Sequence, residues 1–195
     1  MPFKLIKYIS ISLFFFIISC GIDNSKFIGT ITNDYKPLPE FNLIDQNNDS
    51  FDQNSFESKS LLITFLYSSC KTECPAVLND LFTIKDSLSL KSDKLQVIIF
   101  SIDPLESTAN VKDILNKYQL DIESLSYLMG TKEQLKPIWQ YFYVPVGNVV
   151  TNNANSNLIL HSTPAYLISP NDSISLIYTE FDIQAIKSDL DALVD

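Results

Sequence analysis

The chain has 195 residues, enough for one domain around a full hydrophobic core, and 46% of its residues are hydrophobic, as in an ordinary globular protein. Its formal net charge is −9, and arginine is absent from the sequence. These features argue against nucleic-acid binding, because phosphate contacts depend on clustered basic side chains.

The N-terminus has the pattern of a secretory signal. Lys4 and Lys7 form a basic start, and residues 9–18 are an apolar run too short for a comfortable membrane span. The run ends in Ile-Ile-Ser-Cys-Gly, which resembles the lipobox of bacterial lipoproteins and implies cleavage before Cys20 and a lipid on its sulfur. The alternative is an uncleaved membrane anchor that ends in an incidental cysteine.

Either interpretation predicts a protein of the bacterial cell envelope, tethered to a membrane with its domain on the periplasmic side. We expect a signal peptide over 1–19, a lipidated tether over 20–35 and one folded domain over 36–195. If Cys20 carries the lipid, the two remaining cysteines work in an oxidising compartment, where disulfides persist.

A short hairpin is predicted at the start of the domain. Residues 41–45 alternate between apolar and polar side chains as in a strand, and residues 46–50 form a polar turn. Phe51 then begins the returning strand. The hairpin precedes the first buried strand, so we expect it as an N-terminal addition to the fold.

The two remaining thiols follow the next predicted strand. Residues 61–67 are a near-continuous apolar run, typical of a strand buried on both faces of a parallel sheet. After Pro75, apolar residues recur every three or four positions, as on one face of a helix. Proline is favoured at the first helical position, so Cys74 is predicted at the N-cap, with Cys70 nearby. A helix N-terminus stabilises an anion and therefore lowers the pKa of a thiol placed there.

Strands and helices alternate through the rest of the chain. Further strands are predicted over 95–102, 126–129, 165–169 and 174–178. Helix caps are predicted at Thr108, Thr131 (in a capping box) and Asp182. Residues 145–158 show neither pattern, and Trp139 and Phe142 are expected in the core. The order predicts an α/β fold with a mixed central sheet flanked by helices, as in thioredoxin-like proteins.

Four segments resemble the Sco/SenC copper chaperones. Residues 65–75, F-L-Y-S-S-C-K-T-E-C-P, resemble the family's C-x3-C-P signature, and residues 101–104 resemble its S-x-D-P motif. Residues 138–144 resemble the helix before its long loop, and His161 with the serine after it resembles its metal-binding histidine segment. The resemblance covers roughly residues 36–181, in the family's order.

The resemblance implies a thioredoxin-like fold and a copper site formed by Cys70, Cys74 and His161. It also implies a lipid-anchored carrier that delivers copper to the CuA centre on subunit II of cytochrome c oxidase, and a monomer is expected. Pro164 resembles the proline that thioredoxin-like proteins hold in cis, so a cis bond is predicted there.

The residue types also favour copper when they are considered without the family. Thiolate selects Cu(I), and imidazole accepts Cu(II) as well. A structural zinc site usually has four protein ligands, whereas this chain offers three candidates, which indicates an open site. A Cys70–Cys74 disulfide cannot bind metal through thiolate, so the pair must first be reduced.

Three other functions compete with the copper carrier. A thiol–disulfide oxidoreductase that reduces cysteines of exported proteins suits the same thiol pair, although such enzymes usually carry C-x2-C. A thiol peroxidase is disfavoured because that family uses an arginine. A binding lipoprotein with a structural disulfide leaves the position of the thiols unexplained. His161 could also be an ordinary half-exposed histidine, and Asp103 could either orient the site or simply end a strand.

Overall fold

The computed structural model describes residues 26–32, 38–56, 58–149, 158–170 and 175–194. The predicted signal peptide, Cys20 and part of the predicted tether lie outside these residues. In the described part of the chain, no helix combines the length and hydrophobicity needed to span a bilayer.

Strands and helices alternate along most of the chain. The strands are β1 (Thr30–Thr32), β2 (Asn42–Ile44), β3 (Ser50–Asp52), β4 (Ser60–Leu66), β5 (Leu95–Ser101), β6 (Leu125–Leu128), β7 (Gly147–Val149), β8 (Leu158–Leu160), β9 (Ala165–Ile168) and β10 (Ser175–Tyr178). The helices are α1 (Cys74–Leu90), α2 (Thr108–Lys117), α3 (Lys132–Tyr141) and α4 (Ile183–Val194). A short 3-10 helix, Gln53–Phe56, follows β3.

The central sheet is mixed, as predicted. Its six strands lie in the order β1, β10, β9, β4, β5, β6. Strands β4, β5 and β6 are parallel, whereas β9 runs antiparallel to β4, and β10 to β9. Every residue of β4 and β5 is buried, which explains their continuous apolar sequences.

The predicted N-terminal hairpin is confirmed. Strands β2 and β3 pair antiparallel, with Leu43 opposite Phe51. The Asp45 carboxylate builds the turn by accepting hydrogen bonds from the N–H groups of Asn47, at 2.7 Å, and Asp49, at 2.9 Å. A two-way backbone bridge between Ile44 and Met129 joins the hairpin to the residue after β6.

Two strand pairs lie where the sequence predicts none. The segment predicted as a tether over 20–35 contains β1, which pairs antiparallel with β10 at the edge of the central sheet. Residues 145–158 contain β7, which pairs antiparallel with β8. Three-residue strands are too short for a clear alternation. β1 forms because β10, which is distant in the sequence, supplies its hydrogen bonds, and β7 forms by pairing with β8, the next strand along the chain.

The helix caps agree with prediction in two cases and differ in a third. Thr131 and Gln134 form the predicted capping box of α3. The Asp182 carboxylate accepts hydrogen bonds from two backbone N–H groups at the start of α4. Thr108 is not the cap of α2: Ser107 is, and its hydroxyl accepts a hydrogen bond from the third helical residue at 3.3 Å. Both residues are good caps, and the extended backbone of Ser107 decides between them.

Helix α3 and the sheet enclose an aromatic cluster. The Phe65 ring lies 5.4 Å from that of Phe142 and 5.8 Å from that of Phe100. The predicted burial of Trp139 and Phe142 is confirmed, since they are 6% and 3% exposed. Neighbouring side chains of a strand point to opposite faces. On β10, Tyr178 pairs with Ala165, the residue next to Tyr166. Tyr178 therefore lies on the opposite face of the sheet from Tyr166, where it contacts α4.

Candidate metal centre

A tight turn carries the first thiol away from the carboxyl end of β4. The Cys70 N–H donates to the Tyr67 carbonyl at 3.2 Å, so Ser68 and Ser69 are the central residues of a β-turn. The Cys70 thiol then lies against the start of α1, where the Cys74 N–H points at its sulfur at 3.5 Å.

The second thiol is one position deeper in the helix than predicted. Glu73 is the N-cap of α1, Cys74 is the first helical residue, and Pro75 is the second. Proline is tolerated there because the second helical N–H also lacks an intrahelical partner. Cys74 is fully buried, whereas Cys70 remains 5% exposed.

His161 follows β8 directly, so the β7–β8 pair brings it to the thiols. Its Nδ1 lies 2.8 Å from the Ser162 carbonyl. A carbonyl can only accept, so Nδ1 carries a proton. In the neutral ring, the lone pair is therefore on Nε2. Nε2 lies 3.9 Å from the Cys74 Sγ, and the ring meets Tyr67 edge-on with centroids 5.6 Å apart.

The structure thus brings together the three predicted ligands. One ligand atom each from Cys70, Cys74 and His161 lies within 4.8 Å of the other two, and the group could hold a metal ion. His161 is separated from Cys74 by 87 positions in the sequence, so only the fold creates this group.

The two thiols differ strongly in their electrostatics. A hydrogen bond from the Cys74 side chain lowers the pKa of Cys70 to about 3, with help from His161 and two backbone groups and against the effect of burial. The pKa of Cys74 is raised, because its thiol donates that hydrogen bond and is buried. The predicted pKa depression at the helix mouth therefore holds for Cys70 and fails for Cys74. The Cys70 thiol of the reduced pair therefore ionises before the Cys74 thiol.

Three side chains near the thiols, those of Tyr67, Glu106 and Tyr127, are not predicted from the sequence as part of the site. Tyr67 packs on His161 and receives a backbone hydrogen bond from Ile159, and burial followed by the charge of Cys70 raises its pKa to about 12. Glu106 accepts hydrogen bonds from the Ser68 N–H, at 2.7 Å, and from the Tyr127 hydroxyl, at 3.2 Å. Aromatic and acidic residues at these positions carry no local motif, so no sequence signal marked them.

The structure differs from the sequence predictions at two positions, namely that Asp103 could orient the metal site and that the bond before Pro164 is cis. The Asp103 carboxylate accepts a hydrogen bond from the Leu105 N–H at 2.9 Å and shapes its own loop instead of facing the thiols. The cis bond predicted at Pro164 is wrong, since none of the peptide bonds between described residues is cis. The trans form is the ordinary one. The Pro164 carbonyl accepts a buried hydrogen bond from the Thr64 hydroxyl at 3.1 Å.

Comparisons with known proteins place this site in a family. The SCO1/SenC family model matches residues 30–195. An SCO2-like protein of Rickettsia prowazekii is 29% identical over 133 residues, which cover 67% of this chain but only 63% of that relative, less than two thirds of its length.

Solved structures share the fold. ScoI of Bradyrhizobium japonicum with copper bound superposes with a TM-score of 0.69 at 22% identity, covering 81% of this chain and 99% of that one. BsSco, described as a disulfide-switch member of the Sco family of cytochrome c oxidase assembly proteins, gives a TM-score of 0.65 at 19% identity, covering 85% and 98%. These likenesses confirm the thioredoxin-like fold. Since the family model spans most of the sequence, the chain belongs to the SCO1/SenC family.

Proposed function

We propose that this protein carries copper to the CuA centre on subunit II of cytochrome c oxidase and that Cys70, Cys74 and His161 hold the ion. The observation that carries the proposal is the convergence of two sulfurs and one imidazole nitrogen within 4.8 Å. This donor set suits Cu(I) and also accepts Cu(II). The copper-bound relative and the Sco assembly proteins support the choice of metal and recipient.

The geometry suits an ion that is to be handed on. Three protein ligands leave room for an incoming ligand from a recipient. The Ser162 carbonyl fixes the imidazole tautomer so that Nε2 is available, as outer-shell partners commonly do. The lowered pKa of Cys70 favours its thiolate form, whereas the raised pKa of Cys74 favours a proton that the metal would have to displace on binding.

The oxidation state of the Cys70–Cys74 pair would control whether copper can bind. A Cys70–Cys74 disulfide removes both thiolate ligands, and the buried pair would have to be reduced before copper could enter. We propose that an external dithiol supplies the two electrons and itself becomes a disulfide. The disulfide switch described for BsSco supports this step.

We also propose that the protein is exported and anchored at the bacterial membrane by a lipid on Cys20. The support is the basic start, the short apolar run and the lipobox-like sequence. A Cys20→Ala protein should accumulate as an unprocessed precursor that incorporates no lipid label. Normal processing and labelling of that variant would show that the anchor lies elsewhere.

A second function is favoured by the asymmetry of the thiols. The Cys70 thiolate could attack a disulfide of an exported protein, and Cys74 could then resolve the mixed disulfide, leaving two thiols on the target and a Cys70–Cys74 disulfide. This oxidoreductase has no intrinsic need for His161. The imidazole beside the pair therefore distinguishes the two functions.

His161→Ala is the deciding experiment. The reduced wild type should retain about one copper ion per chain after gel filtration, and the variant should lose Cu(II) affinity more than Cu(I) affinity, because two thiolates still hold Cu(I). It should also reduce assembly of active oxidase in cells, while exchange with a small disulfide continues. Lys71→Ala, at an exposed position between the thiols, is the matched control and should leave copper binding unchanged. If His161→Ala loses copper binding but keeps both oxidase assembly and disulfide exchange at wild-type levels, the oxidoreductase would replace the carrier.

A further inference from the structure

A second turn faces the turn that carries Cys70. Its frame is the S-x-D-P segment that begins on the last residue of β5, and here the Glu106 N–H donates to the Asp103 carbonyl at 3.2 Å. The Asp103 carboxylate reinforces it through the Leu105 N–H, and the Ser101 hydroxyl donates to the Asp103 carbonyl at 3.0 Å. The last residue of this turn is Glu106, and its side chain points back toward β4.

Glu106 joins the two turns. One carboxylate oxygen accepts the Ser68 N–H at 2.7 Å, and the other accepts the Ser68 hydroxyl at 2.5 Å. Ser68 is the first central residue of the turn that ends at Cys70. Hydrogen bonds to an ionised acceptor are short and roughly twice as strong as neutral ones. Because both oxygens of Glu106 bind Ser68, they fix both the position and the orientation of the turn.

A residue of the central sheet holds the Glu106 carboxylate in place. The Tyr127 hydroxyl donates to it at 3.2 Å, and Tyr127 is 1% exposed in the middle of β6. Glu106 is half-buried between these partners. The connection thus runs from the rigid sheet, through Tyr127 and Glu106, to the main chain that carries Cys70.

We propose that Glu106 is a positioning residue that latches the Ser68–Ser69 turn and thereby sets the place of the Cys70 sulfur relative to Cys74 and His161. It deepens the proposed function, on which it rests, and gives the S-x-D-P segment a role: that segment builds the turn that presents Glu106. A metal bound by only three protein ligands depends on the place of each one. Loss of an outer-shell partner typically costs about 10- to 100-fold in metal affinity.

The test compares copper affinity and Cu(II) absorption spectra of reduced wild type, Glu106→Gln and Glu106→Ala, each at a temperature where melting curves show it folded. We expect weakening of copper binding by about tenfold in Glu106→Gln and up to about 100-fold in Glu106→Ala, with a shifted sulfur-to-copper band. Glu123→Gln, at an exposed site after α2, is the control. Copper affinity and spectra equal to wild type in both Glu106 variants would overturn the proposal.

A milder pair of variants keeps the test decisive if the Glu106 variants fold poorly. Ser68→Ala removes one latch contact, whereas Ser69→Ala changes the exposed neighbour in the same turn. Only Ser68→Ala should weaken copper binding, and combined with Glu106→Gln it should add less than its separate effect, since both break one connection. Equal effects of the two serine variants, or full additivity, would show that Glu106 does not act through Ser68.

A copper-free measurement separates this proposal from the proposed function. In the reduced protein, Cys70 is 5% exposed, so iodoacetamide should alkylate it slowly. Release of the turn in Glu106→Gln should speed that alkylation severalfold. If wild type binds no copper, the carrier function fails, and the alkylation rate alone decides whether Glu106 holds the turn. An unchanged rate contradicts the latch.

Discussion

Two carboxylates in this protein are held by the same kind of partners at different places in the molecule. Glu106 accepts hydrogen bonds from one main-chain N–H, a serine hydroxyl and the Tyr127 hydroxyl. Asp189, on α4, accepts them from two main-chain N–H groups and the Tyr178 hydroxyl. Within the described residues, neither carboxylate is paired with a lysine. Main-chain N–H groups and hydroxyls of the chain itself therefore satisfy the hydrogen bonding of both carboxylates.

The segments that they hold are different. Asp189 is fully buried and holds Ile28 and Gly29, at distances of 2.7 to 3.1 Å, where the described chain enters the sheet edge. A Cβ at Gly29 would lie 2.8 Å from the Tyr178 ring, so only glycine fits there. Glu106 is half-buried and holds the turn that precedes Cys70. The comparison indicates that one kind of contact serves stability at the edge and ligand placement at the thiols.

The largest expected effect is a loss of stability when the Asp189 contacts at the edge of the sheet are broken. Asp189→Asn keeps the shape but removes the charge and one acceptor oxygen, so it should lower the free energy of unfolding by about 2–3 kcal/mol in a denaturant titration. Copper affinity of the folded variant should stay at the wild-type value. Asp191→Asn, two residues further along α4, is the matched control. Its partly exposed ion pair with Lys91, at 3.2 Å, should contribute less than about 1 kcal/mol. Reduced copper affinity in Asp189→Asn would contradict the division of roles.

Substitution of Tyr178 or Tyr127 should have a smaller effect on stability, and it compares a single hydrogen bond at each of the two carboxylates. Tyr178→Phe removes a hydrogen bond of 2.7 Å, and Tyr127→Phe removes one of 3.2 Å. We expect losses in unfolding free energy of about 1.5 and about 0.5 kcal/mol, respectively, because the shorter bond to the fully buried charge is stronger. Copper affinity should fall in Tyr127→Phe alone. The reverse order of affinities would show that the sheet does not fix Glu106.

The smallest expected effect is a pH dependence at Glu106. Burial, and to a lesser degree the neighbouring Asp103, raise the pKa of Glu106 above its ordinary value of 4.5, although Ser68 and Tyr127 oppose the shift. A raised pKa means that the folded state binds the proton more tightly than the unfolded state does. The contribution to stability is then full below the unfolded pKa and is lost as the pH rises through the folded pKa. The stability of wild type relative to Glu106→Gln should therefore be greater at about pH 4 than at about pH 7, as measured by denaturant titrations. A difference that grows with pH would show that the carboxylate form is favoured by folding.

Local sequence patterns predicted the parts of the fold that depend on neighbours along the chain. The continuous apolar runs identified β4 and β5, because a strand buried on both faces needs apolar side chains at every position. Thr131 and Asp182 marked helix starts because a cap needs a side-chain oxygen at a fixed offset from free N–H groups. Pro75 placed both thiols at the mouth of α1, because proline is favoured in the first turn of a helix.

The metal centre itself depended on distant contacts. Sequence spacing alone left His161 undecided, and the pairing of β7 with β8 decided that its Nε2 reaches the thiols. The unequal pKa values of the two thiols also come from tertiary structure, because they arise from the hydrogen bond between the two side chains and from the burial of Cys74. Glu106 reaches the thiol turn across 38 positions of sequence. Periodicity describes which face of one element is buried, whereas each of these contacts depends on how separate elements pack and on the hydrogen bonds that they then satisfy.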